Sequence, residues 1–400
     1  MKKYLIALAT CLLPSYFLHA QLGPEITSWI INTTGTTGYN NIPSNIQQVQ
    51  YSTNNVYVSA TCIPNYNIGP WNGNPNIPSN QNFVYKITRT PVQNTGTPTA
   101  VGMGHIGVWS NGVSIFNVSD GMSYNNQGIW NRNAYYWEGA SFDTCLGHPA
   151  PNGEYHHHVS PDCLYDNTDS TNHSPIIGYA FDGFPIYGAY GFTNTNGTGP
   201  IKRMKTSYAV SAATTRTNGP AVSASYPAGC FMEDYIYIAS SGDLDQRNGR
   251  FCVTPEYPSG IYAYFVTLNS VLYPDFPYTF YKTYYGVVQA GNIGPNSGHN
   301  TISEPVVTYN SGVTEIKPEI NFSLYPNPAA DYLMFYVESY TENNMKAELI
   351  NDLGQLIYLQ NFVQPSISYN MDITILPAGL YFLKLSNETS SSTEKVMVAR

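Results

Sequence analysis

Short runs in which apolar and polar residues alternate occupy the last 80 residues of the chain. Alternation with a two-residue period is typical of a strand that buries one face. Turn-forming triplets at 352–354 and 377–379 separate some of these runs. We therefore predict a small β-sandwich over 319–400. Its six predicted strands are 332–337, 346–350, 355–359, 369–375, 380–385 and 395–399.

The rest of the chain is predicted to consist of strands joined by long loops. The protein has 35 Tyr, 33 Gly and 28 Pro, and charged residues make up only 11% of its 400 residues. Tyr and Thr favour strands, whereas Asn, Gly and Pro favour turns. Long surface helices are rich in Lys and Glu, which are scarce here. The sequence thus predicts an all-β, mainly antiparallel protein and excludes a helical bundle or coiled coil.

The charge pattern excludes one large class of partners. The formal net charge is −9. No block of Lys and Arg is long enough to follow a phosphate backbone. We therefore expect no binding to nucleic acid.

The N-terminus has the pattern of a secretory signal peptide over residues 1–20. Lys2 and Lys3 precede an apolar run over 4–18, and Ala20 supplies the small residue before a cleavage site. Because the apolar run is shorter than the about 20 residues of a membrane-spanning helix, we expect cleavage rather than anchoring. No later segment is long and apolar enough to span a bilayer. The sequence predicts export to the periplasm and a final location outside the cell.

Composition divides the exported chain into three parts. A Tyr-rich part over 24–290 is predicted to be the main domain. Residues 291–318 are rich in Gly, Asn, Ser, Thr and Pro without a sustained period, and are predicted to be a linker. The sandwich over 319–400 follows. Function is therefore expected to reside in the main domain.

Five cysteines remain once the signal peptide is removed. In an oxidising compartment they are interpreted first as disulfides, although the sequence alone does not fix the pairing. Closeness along the chain favours the pairs Cys145–Cys163 and Cys230–Cys252, which leaves Cys62 unpaired. None of the five is in a Cys-x-x-Cys pair, so zinc binding by cysteines is disfavoured.

Five of the eight histidines fall between residues 148 and 173. On a strand, alternate side chains share a face, so His156 and His158 are expected to point to one side and His157 to the other. Two imidazoles at this spacing can reach a common ion at about 2.0–2.1 Å. We therefore predict a transition-metal site for copper or zinc. The further candidate ligands, in order of preference, are His148, His173, Asp143 and Asp182.

Two alternatives to metal binding stay open for these histidines. The rings could pack as structural groups within a Tyr-rich sheet, or they could act in acid–base catalysis without a metal. The isolated His105 and His299 are interpreted as structural. Ser/His/Asp hydrolysis also stays open, although no Gly-x-Ser-x-Gly motif occurs in the sequence.

Six blocks of the main domain resemble the YHYH domain family, which is named for a Tyr-His-Tyr-His motif. They are NGVSIFN (111–117), DTCLGH (143–148), GEYHHH (153–158), GYAFDGFPIYG (178–188), LDQRNGR (244–250) and GIYAYF (260–265). The second Tyr of the name motif is His157 here, so a role of that hydroxyl is not carried over. His156 and His158 are in place. The resemblance implies a domain but no particular activity.

Two stretches of the main domain share a pattern that suggests an internal duplication. Each has Asp-x-x-x-Gly followed by Pro-x-Gly-x-Tyr, starting at Asp143 and at Asp245. Each is followed by a stretch with Pro, aromatic residues and Gly, at 184–188 and 276–286. The first copy carries imidazoles where the second carries apolar side chains. We therefore expect the first copy to hold the site.

The C-terminal segment resembles the type A sorting domain of the type IX secretion system. The matching motifs are LYPNP (324–328) with Asp331, DLGQ (352–355), LPAGLY (376–381) and a basic final strand with Lys395 and Arg400. The resemblance implies recognition by the type IX secretion machinery and passage across the outer membrane, then tail removal or surface attachment. A carbohydrate-binding sandwich is the alternative.

Together these patterns predict a secreted or cell-surface protein that binds copper or zinc through clustered histidines. The alternative is a non-catalytic adhesion module, or one that binds glycans or proteins, because Tyr-rich surfaces offer large contact areas. The sequence assigns no substrate and leaves enzymatic activity open.

Overall fold

The computed structural model describes residues 22–294, 297–310, 322–337, 345–352, 354–362, 368–386 and 391–400. The predicted signal peptide over 1–20 lies outside the described residues, as does the 311–318 part of the predicted linker. The chain forms two compact units that meet in sequence between Tyr309 and Asn310. None of the helices in the described ranges has the length and apolar character needed to cross a membrane.

Strands dominate the first unit, which confirms the predicted all-β class. Its helical turns are α1 (Pro24–Thr27), α2 (Ala134–Trp137) and 3₁₀ turns at Tyr39–Asn41, Tyr124–Asn126, Gly139–Ser141 and Met232–Asp234. Its strands are β1 (Ile46–Tyr51), β2 (Asn55–Ala60), β3 (Phe83–Thr88), β4 (His105–Trp109), β5 (Ser114–Phe116), β6 (Ser119–Ser123), β7 (Asn131–Asn133), β8 (Gly147–Pro149), β9 (Tyr155–His157), β10 (Ile176–Ala180), β11 (Pro185–Tyr187), β12 (Tyr190–Phe192), β13 (Ile201–Arg203), β14 (Tyr208–Val210), β15 (Tyr235–Tyr237), β16 (Gly249–Cys252), β17 (Ile261–Phe265) and β18 (Val307–Tyr309).

The largest sheet has eight strands in the order β16-β17-β11-β10-β4-β5-β9-β8. β4 and β10 pair antiparallel at its centre. On each side, the next strand is an antiparallel hairpin partner, followed by a parallel strand and an antiparallel outer strand. The sheet therefore consists of two similar four-stranded halves.

Equivalent loops in the two halves make the same hydrogen bonds. The Asp143 carboxylate accepts from the Tyr155 hydroxyl at 2.9 Å. The Asp245 carboxylate accepts from the Tyr262 hydroxyl at 3.0 Å. Each carboxylate also accepts the N–H of the glycine four residues later. These matching contacts support the duplication expected from the Asp-x-x-x-Gly pattern.

The other part of the repeat pattern, which pairs 184–188 with 276–286, is wrong. β11 takes the position that β5 takes in the other half of the sheet. Residues 276–286 instead pair through isolated bridges at Thr283 and Gly286. A Pro followed by aromatic residues recurs easily in a chain so rich in Pro and Tyr, and it does not identify a repeat.

A four-stranded sheet, in the order β18-β1-β2-β3, completes the core of the first unit. Apolar side chains from both sheets belong to one buried cluster, and burial of this size is the main stabilising term for such a unit. Its fully buried members include Val58, Tyr85, Trp109, Tyr179 and Tyr264.

Part of the predicted linker packs on the first unit. β18 pairs with β1. The side chain of Asn292 is fully buried and accepts the backbone N–H of Lys86 at 3.0 Å. The first compact unit thus extends to Tyr309, beyond residue 290, where the sequence places the end of the main domain.

The second unit contains two sheets that share one apolar core, as predicted for a β-sandwich. Its strands are β19 (Phe322–Tyr325), β20 (Tyr332–Val337), β21 (Met345–Asn351), β22 (Leu356–Phe362), β23 (Ser368–Asp372), β24 (Gly379–Ser386) and β25 (Ser391–Val398). The sheets have the orders β19-β20-β23 and β22-β21-β24-β25. Each predicted strand overlaps one of these, and β19 is additional.

One of the two predicted disulfides is present. Cys145 and Cys163 are bonded. Cys230 and Cys252 are free buried thiols, so the second predicted bridge is wrong, and Cys62 is also free and buried. Closeness in sequence did not predict this pairing correctly, because the two cysteines lie in different surroundings. Cys252 is on β16 in the large sheet, whereas Cys230 packs beside Arg216, with its Sγ 3.9 Å from Arg216 Nη2.

Candidate metal centre

Two neighbouring strands bring together the three imidazoles of His148, His156 and His158, here called the histidine cluster. His148 on β8 lies directly opposite His156 on β9 in the antiparallel pair. The ring centroids are 4.6 Å apart for His148 and His156, and 4.9 Å for His156 and His158. All three are buried, and one ring nitrogen from each lies within 4.8 Å of the others. The expected common face of His156 and His158 is therefore present, with His148 joining it.

Hydrogen bonds at the outer nitrogen fix the orientation of each ring. His158 Nδ1 lies 2.5 Å from the carbonyl oxygen of Asn117. His156 Nδ1 lies 3.0 Å from the carbonyl oxygen of Glu154, and His148 Nδ1 makes a similar contact with a serine hydroxyl at 2.8 Å. A carbonyl can only accept, so Nδ1 of His156 and of His158 carries a proton. In the neutral rings, Nε2 of both therefore holds a lone pair.

The Nε2 atoms converge beside the carboxylate of Glu138. His156 Nε2 and His158 Nε2 are 3.1 Å apart. Glu138 Oε2 lies 3.1 Å from His158 Nε2 and 3.6 Å from His148 Nε2. Within the described part of the chain, His148 Nε2 has no hydrogen-bond partner. Facing lone pairs repel, so the arrangement requires a cation, either a proton on one ring or a metal ion.

Burial keeps protons off two of these rings near neutral pH. Desolvation, helped by the nearby His158, lowers the pKa of His148 to about 4. Desolvation also holds the pKa of His156 well below its ordinary value. For Glu138, burial acts to raise the pKa, but the hydrogen bond and charge of His158 and other nearby cations outweigh it and lower the pKa overall. Neutral imidazoles and an ionised carboxylate are the forms that bind metals.

The histidine cluster lines a cavity of about 560 Å³. Phe116 and Trp137 supply apolar wall, and the Phe116 ring stacks on His156 with 3.7 Å between centroids. Asp120 adds a second carboxylate, whose pKa burial raises to about 6. A cavity of this size and mixed lining can hold a small molecule beside the imidazoles.

Three of the predicted ligands lie outside the histidine cluster, and their assignment is corrected. His173 packs among aromatic rings of the other half of the sheet, with its centroid 5.0 Å from that of Tyr187. The Asp143 carboxylate already accepts hydrogen bonds from two N–H groups of its own loop and from donors in other segments, including the Tyr155 hydroxyl. Asp182 is fully buried and accepts from the Tyr264 hydroxyl at 2.7 Å. Both carboxylates hold turns of the duplicated sheet.

Glu138 is the residue of the site that the sequence analysis missed. It is the C-cap of α2, a helix of four residues that sequence patterns do not predict. Side chains hold this turn in place: Asn133 accepts the N–H of Tyr135 at 3.2 Å, and the Trp137 indole N–H donates to the carbonyl of Cys230 at 2.8 Å. The only feature of the sequence that could have indicated Glu138 is that an acidic residue follows three aromatic residues in a chain with few charges.

Comparison with known families agrees with the sequence motifs. The YHYH protein family matches residues 84–277, which include the histidine cluster. The secretion system C-terminal sorting domain matches residues 323–399, within the second compact unit. No curated protein matches the chain. The chain therefore contains a domain of the YHYH protein family followed by a secretion system C-terminal sorting domain.

Proposed function

We propose that this protein binds one transition metal ion, copper or zinc, at the histidine cluster. The sorting domain implies a protein that the type IX system delivers to the outer surface or the medium, so the ion would be bound outside the cell. The proposed ligands are Nε2 of His148, Nε2 of His156, Nε2 of His158 and the carboxylate of Glu138.

The observation that carries the proposal is the 3.1 Å distance between Nε2 of His156 and Nε2 of His158. Both rings use their Nδ1 proton for a backbone carbonyl, so neither has a proton left to share across this distance while neutral. Carbonyl acceptors at the far nitrogen are the usual support of metal-bound histidines, because they fix the tautomer and the ring orientation.

The donor set suits both ions. Metal–nitrogen bonds of about 2.0–2.1 Å place the ligand atoms of a tetrahedral site about 3.3 Å apart. The His156–His158 distance already fits this spacing. The ligand nitrogens of the three histidines lie up to 4.8 Å apart. The widest of these distances would have to shorten by roughly 1.5 Å when an ion binds. Glu138, whose side chain is 31% exposed, is the ligand with most freedom to move.

The cavity beside the ligands determines which chemistry a bound ion could support. Three protein ligands with water in the fourth position are typical of catalytic zinc sites, so catalysis here would need water to displace Glu138 or to add as a fifth ligand. Water bound to such an ion is acidified and becomes a nucleophile near neutral pH. We therefore propose hydrolytic chemistry with zinc, or redox chemistry with copper, as the class of activity to examine on small molecules that enter the cavity.

Metal content of the purified mature protein tests the proposal. The parent protein and a His156→Ala/His158→Ala double variant are loaded with zinc or copper, desalted and measured by elemental analysis. We expect about one ion per parent chain and none in the double variant. His299→Ala is the matched control and should retain the ion, because His299 is exposed and outside the cluster. Equal metal in the double variant and the parent would refute the proposal.

An aromatic groove favours a second candidate function, the binding of glycans without catalysis. The groove has a volume of about 290 Å³, and its lining includes Phe184, Phe251, Tyr262 and Tyr285. Phe251 is 62% exposed, and exposed aromatic faces offer contact area with little loss of conformational entropy. A glycan array on the parent and on Phe251→Ala tests it: the function predicts a bound glycan that the variant loses.

We further propose that residues 1–20 direct export to the periplasm and that the type IX secretion machinery recognises the second unit. The support is the apolar N-terminal run and the sorting-domain match. Protein that lacks residues 310–400 should then accumulate in the periplasm, whereas the parent should be found outside the cell or on its surface.

A further inference from the structure

A second group of reactive side chains lies on the other side of Phe116, in a separate cavity of about 460 Å³. His105 starts β4, Glu154 precedes β9, and Ser297 lies in the loop that leads to β18. These residues come from three distant parts of the sequence. Both His105 and Glu154 are buried, with 9% and 6% of their side chains exposed.

Their contacts form a chain from hydroxyl to imidazole to carboxylate. Ser297 Oγ lies 2.7 Å from His105 Nε2. His105 Nδ1 lies 2.9 Å from Glu154 Oε1. The same carboxylate oxygen accepts from the Ser114 hydroxyl at 2.5 Å. Because the carboxylate accepts, Nδ1 of His105 carries the proton, and its Nε2 lone pair accepts from Ser297.

We propose that Ser297 is a nucleophile activated by His105, with Glu154 as the group that orients the imidazole. A nucleophile within hydrogen-bond reach of a base, itself held by a third group, defines such triads by geometry on unrelated folds. Three aromatic rings hold the imidazole edge-on, with centroids 5.4–5.7 Å from its own: Phe83, Tyr85 and Phe181. The base is therefore fixed on a rigid strand.

Backbone hydrogen bonds hold Ser297 and the glycine that follows it. The Ser297 N–H donates to the carbonyl of Gly294 at 3.2 Å, and the carbonyl of Gly298 accepts the N–H of Val84 on β3 at 2.7 Å. Ser297 is partly exposed, so a reagent can reach it from the cavity. The cavity volume admits a small ester as substrate.

The proposed reaction is acyl transfer from an ester. Ser297 Oγ forms a bond to the acyl carbon while its proton moves to His105 Nε2. The ester C–O bond then breaks, and the same proton passes to the leaving alkoxide to give an alcohol. Water repeats the sequence on the acyl-serine and releases the carboxylic acid. No oxidant, metal or cofactor enters the balance, so this activity is independent of the histidine cluster.

A fluorophosphonate reagent tests the proposal on the full mature protein treated with a chelator. Ser297 Oγ would displace fluoride from phosphorus, and the proton would leave with the fluoride through His105. We expect about one label per chain, assigned to Ser297 by peptide mass spectrometry, and a burst of p-nitrophenol from p-nitrophenyl acetate.

Three variants make the test decisive. Ser297→Ala should lose both label and burst, and Glu154→Gln should slow labelling at least tenfold with an unchanged circular dichroism spectrum. Ser303→Ala, an exposed serine in the same segment, should behave like the parent. A label on another residue, a label that survives Ser297→Ala, or the absence of both label and burst in the folded parent would overturn the proposal.

Discussion

The carbonyl oxygens of Asn117 and Glu154 decide which nitrogens of His158 and His156 carry a proton. Each accepts from an Nδ1 atom, which leaves Nε2 free. The two Nε2 atoms then face each other beside the Glu138 carboxylate. The proposed ligation therefore depends on backbone acceptors outside the cluster as much as on the histidines themselves.

Glu138→Gln should weaken zinc binding at least tenfold. The substitution keeps the size of the side chain but removes the negative charge 3.1 Å from His158 Nε2, and neutral amides are poor zinc ligands. Competition titration against a chromophoric chelator measures the change in Kd.

Asp120→Asn is the matched control for this titration. It removes one charge from the wall of the same cavity but not from the group beside the imidazoles, so we expect a much smaller change in Kd. Equal effects of the two variants would mean that the charge of the cavity, rather than ligation by Glu138, governs affinity.

Asp182 gives a pH dependence that can be isolated by substitution. Burial raises its pKa from the ordinary 3.8 to about 6, although hydrogen bonds from Tyr264 and from backbone N–H groups oppose the shift. Between these values the folded protein keeps a proton that the unfolded chain has lost. The free energy of unfolding attributable to Asp182 therefore falls as pH rises through this window, by about 3 kcal/mol for a shift of about two units.

Asp182→Asn should remove that dependence. The equivalent turn in the other half of the sheet has Asn111, whose side chain accepts the N–H of Val113 as Asp182 accepts that of Phe184. Urea unfolding between pH 4 and pH 7 measures the difference. The free energy of unfolding of the parent should fall by about 3 kcal/mol relative to that of the variant across this range. Parallel stability curves would contradict the raised pKa of Asp182.

Single residues show where sequence reasoning succeeds and where it ends. The two-residue period of a strand was enough to predict that His156 and His158 share a face. The period does not say what else reaches that face: Glu138 arrives from a short helix, whereas His173 and Asp182 belong to the other half of the sheet. Likewise, the sequence gives no indication that His105 contacts Glu154 and Ser297, which are remote from it in the chain.

At the scale of elements, alternation predicted the strands of the second unit well because strands such as β20, β21 and β24 bury one face. In the first unit, strands such as β4 and β10 are buried along their whole length, and alternation gives no indication there. The Asp-x-x-x-Gly pattern succeeded because the loop uses its own carboxylate and glycine. The pattern of Pro and aromatic residues did not identify a repeat, because it does not require a particular hydrogen bond or backbone conformation.

Cysteine pairing is also decided by elements rather than by spacing, and a thiol count tests it. With Cys145 and Cys163 bonded, the three other cysteines of the mature chain are free and buried. We expect about three thiols per chain with Ellman's reagent in denaturant without reductant, and almost none under native conditions. A single thiol in denaturant would show that Cys230 and Cys252 are bridged after all.

At the scale of the molecule, the composition change near residue 290 does not mark the end of the first unit. Polar, Gly-rich sequence after this point still forms β18 and buries Asn292, because backbone pairing and a buried amide do not need apolar residues. Polar composition alone therefore cannot distinguish a linker from an edge of a sheet.

Two fragments test this boundary. A fragment over 22–309 should unfold like the first unit of the full chain and keep its metal. A fragment over 22–290 lacks β18 and the Asn292 contacts, and should be less stable by at least about 3 kcal/mol, since each lost hydrogen bond contributes about 1 kcal/mol. Thermal unfolding of both is the measurement, and equal midpoints would place the boundary near residue 290.

The central claim is that three imidazoles hold one ion, and anomalous diffraction at the zinc edge tests it most directly. A crystal of the zinc-loaded protein should show one strong anomalous peak about 2.0–2.1 Å from Nε2 of His148, His156 and His158. No peak there, with zinc only at surface carboxylates or absent, would contradict the account.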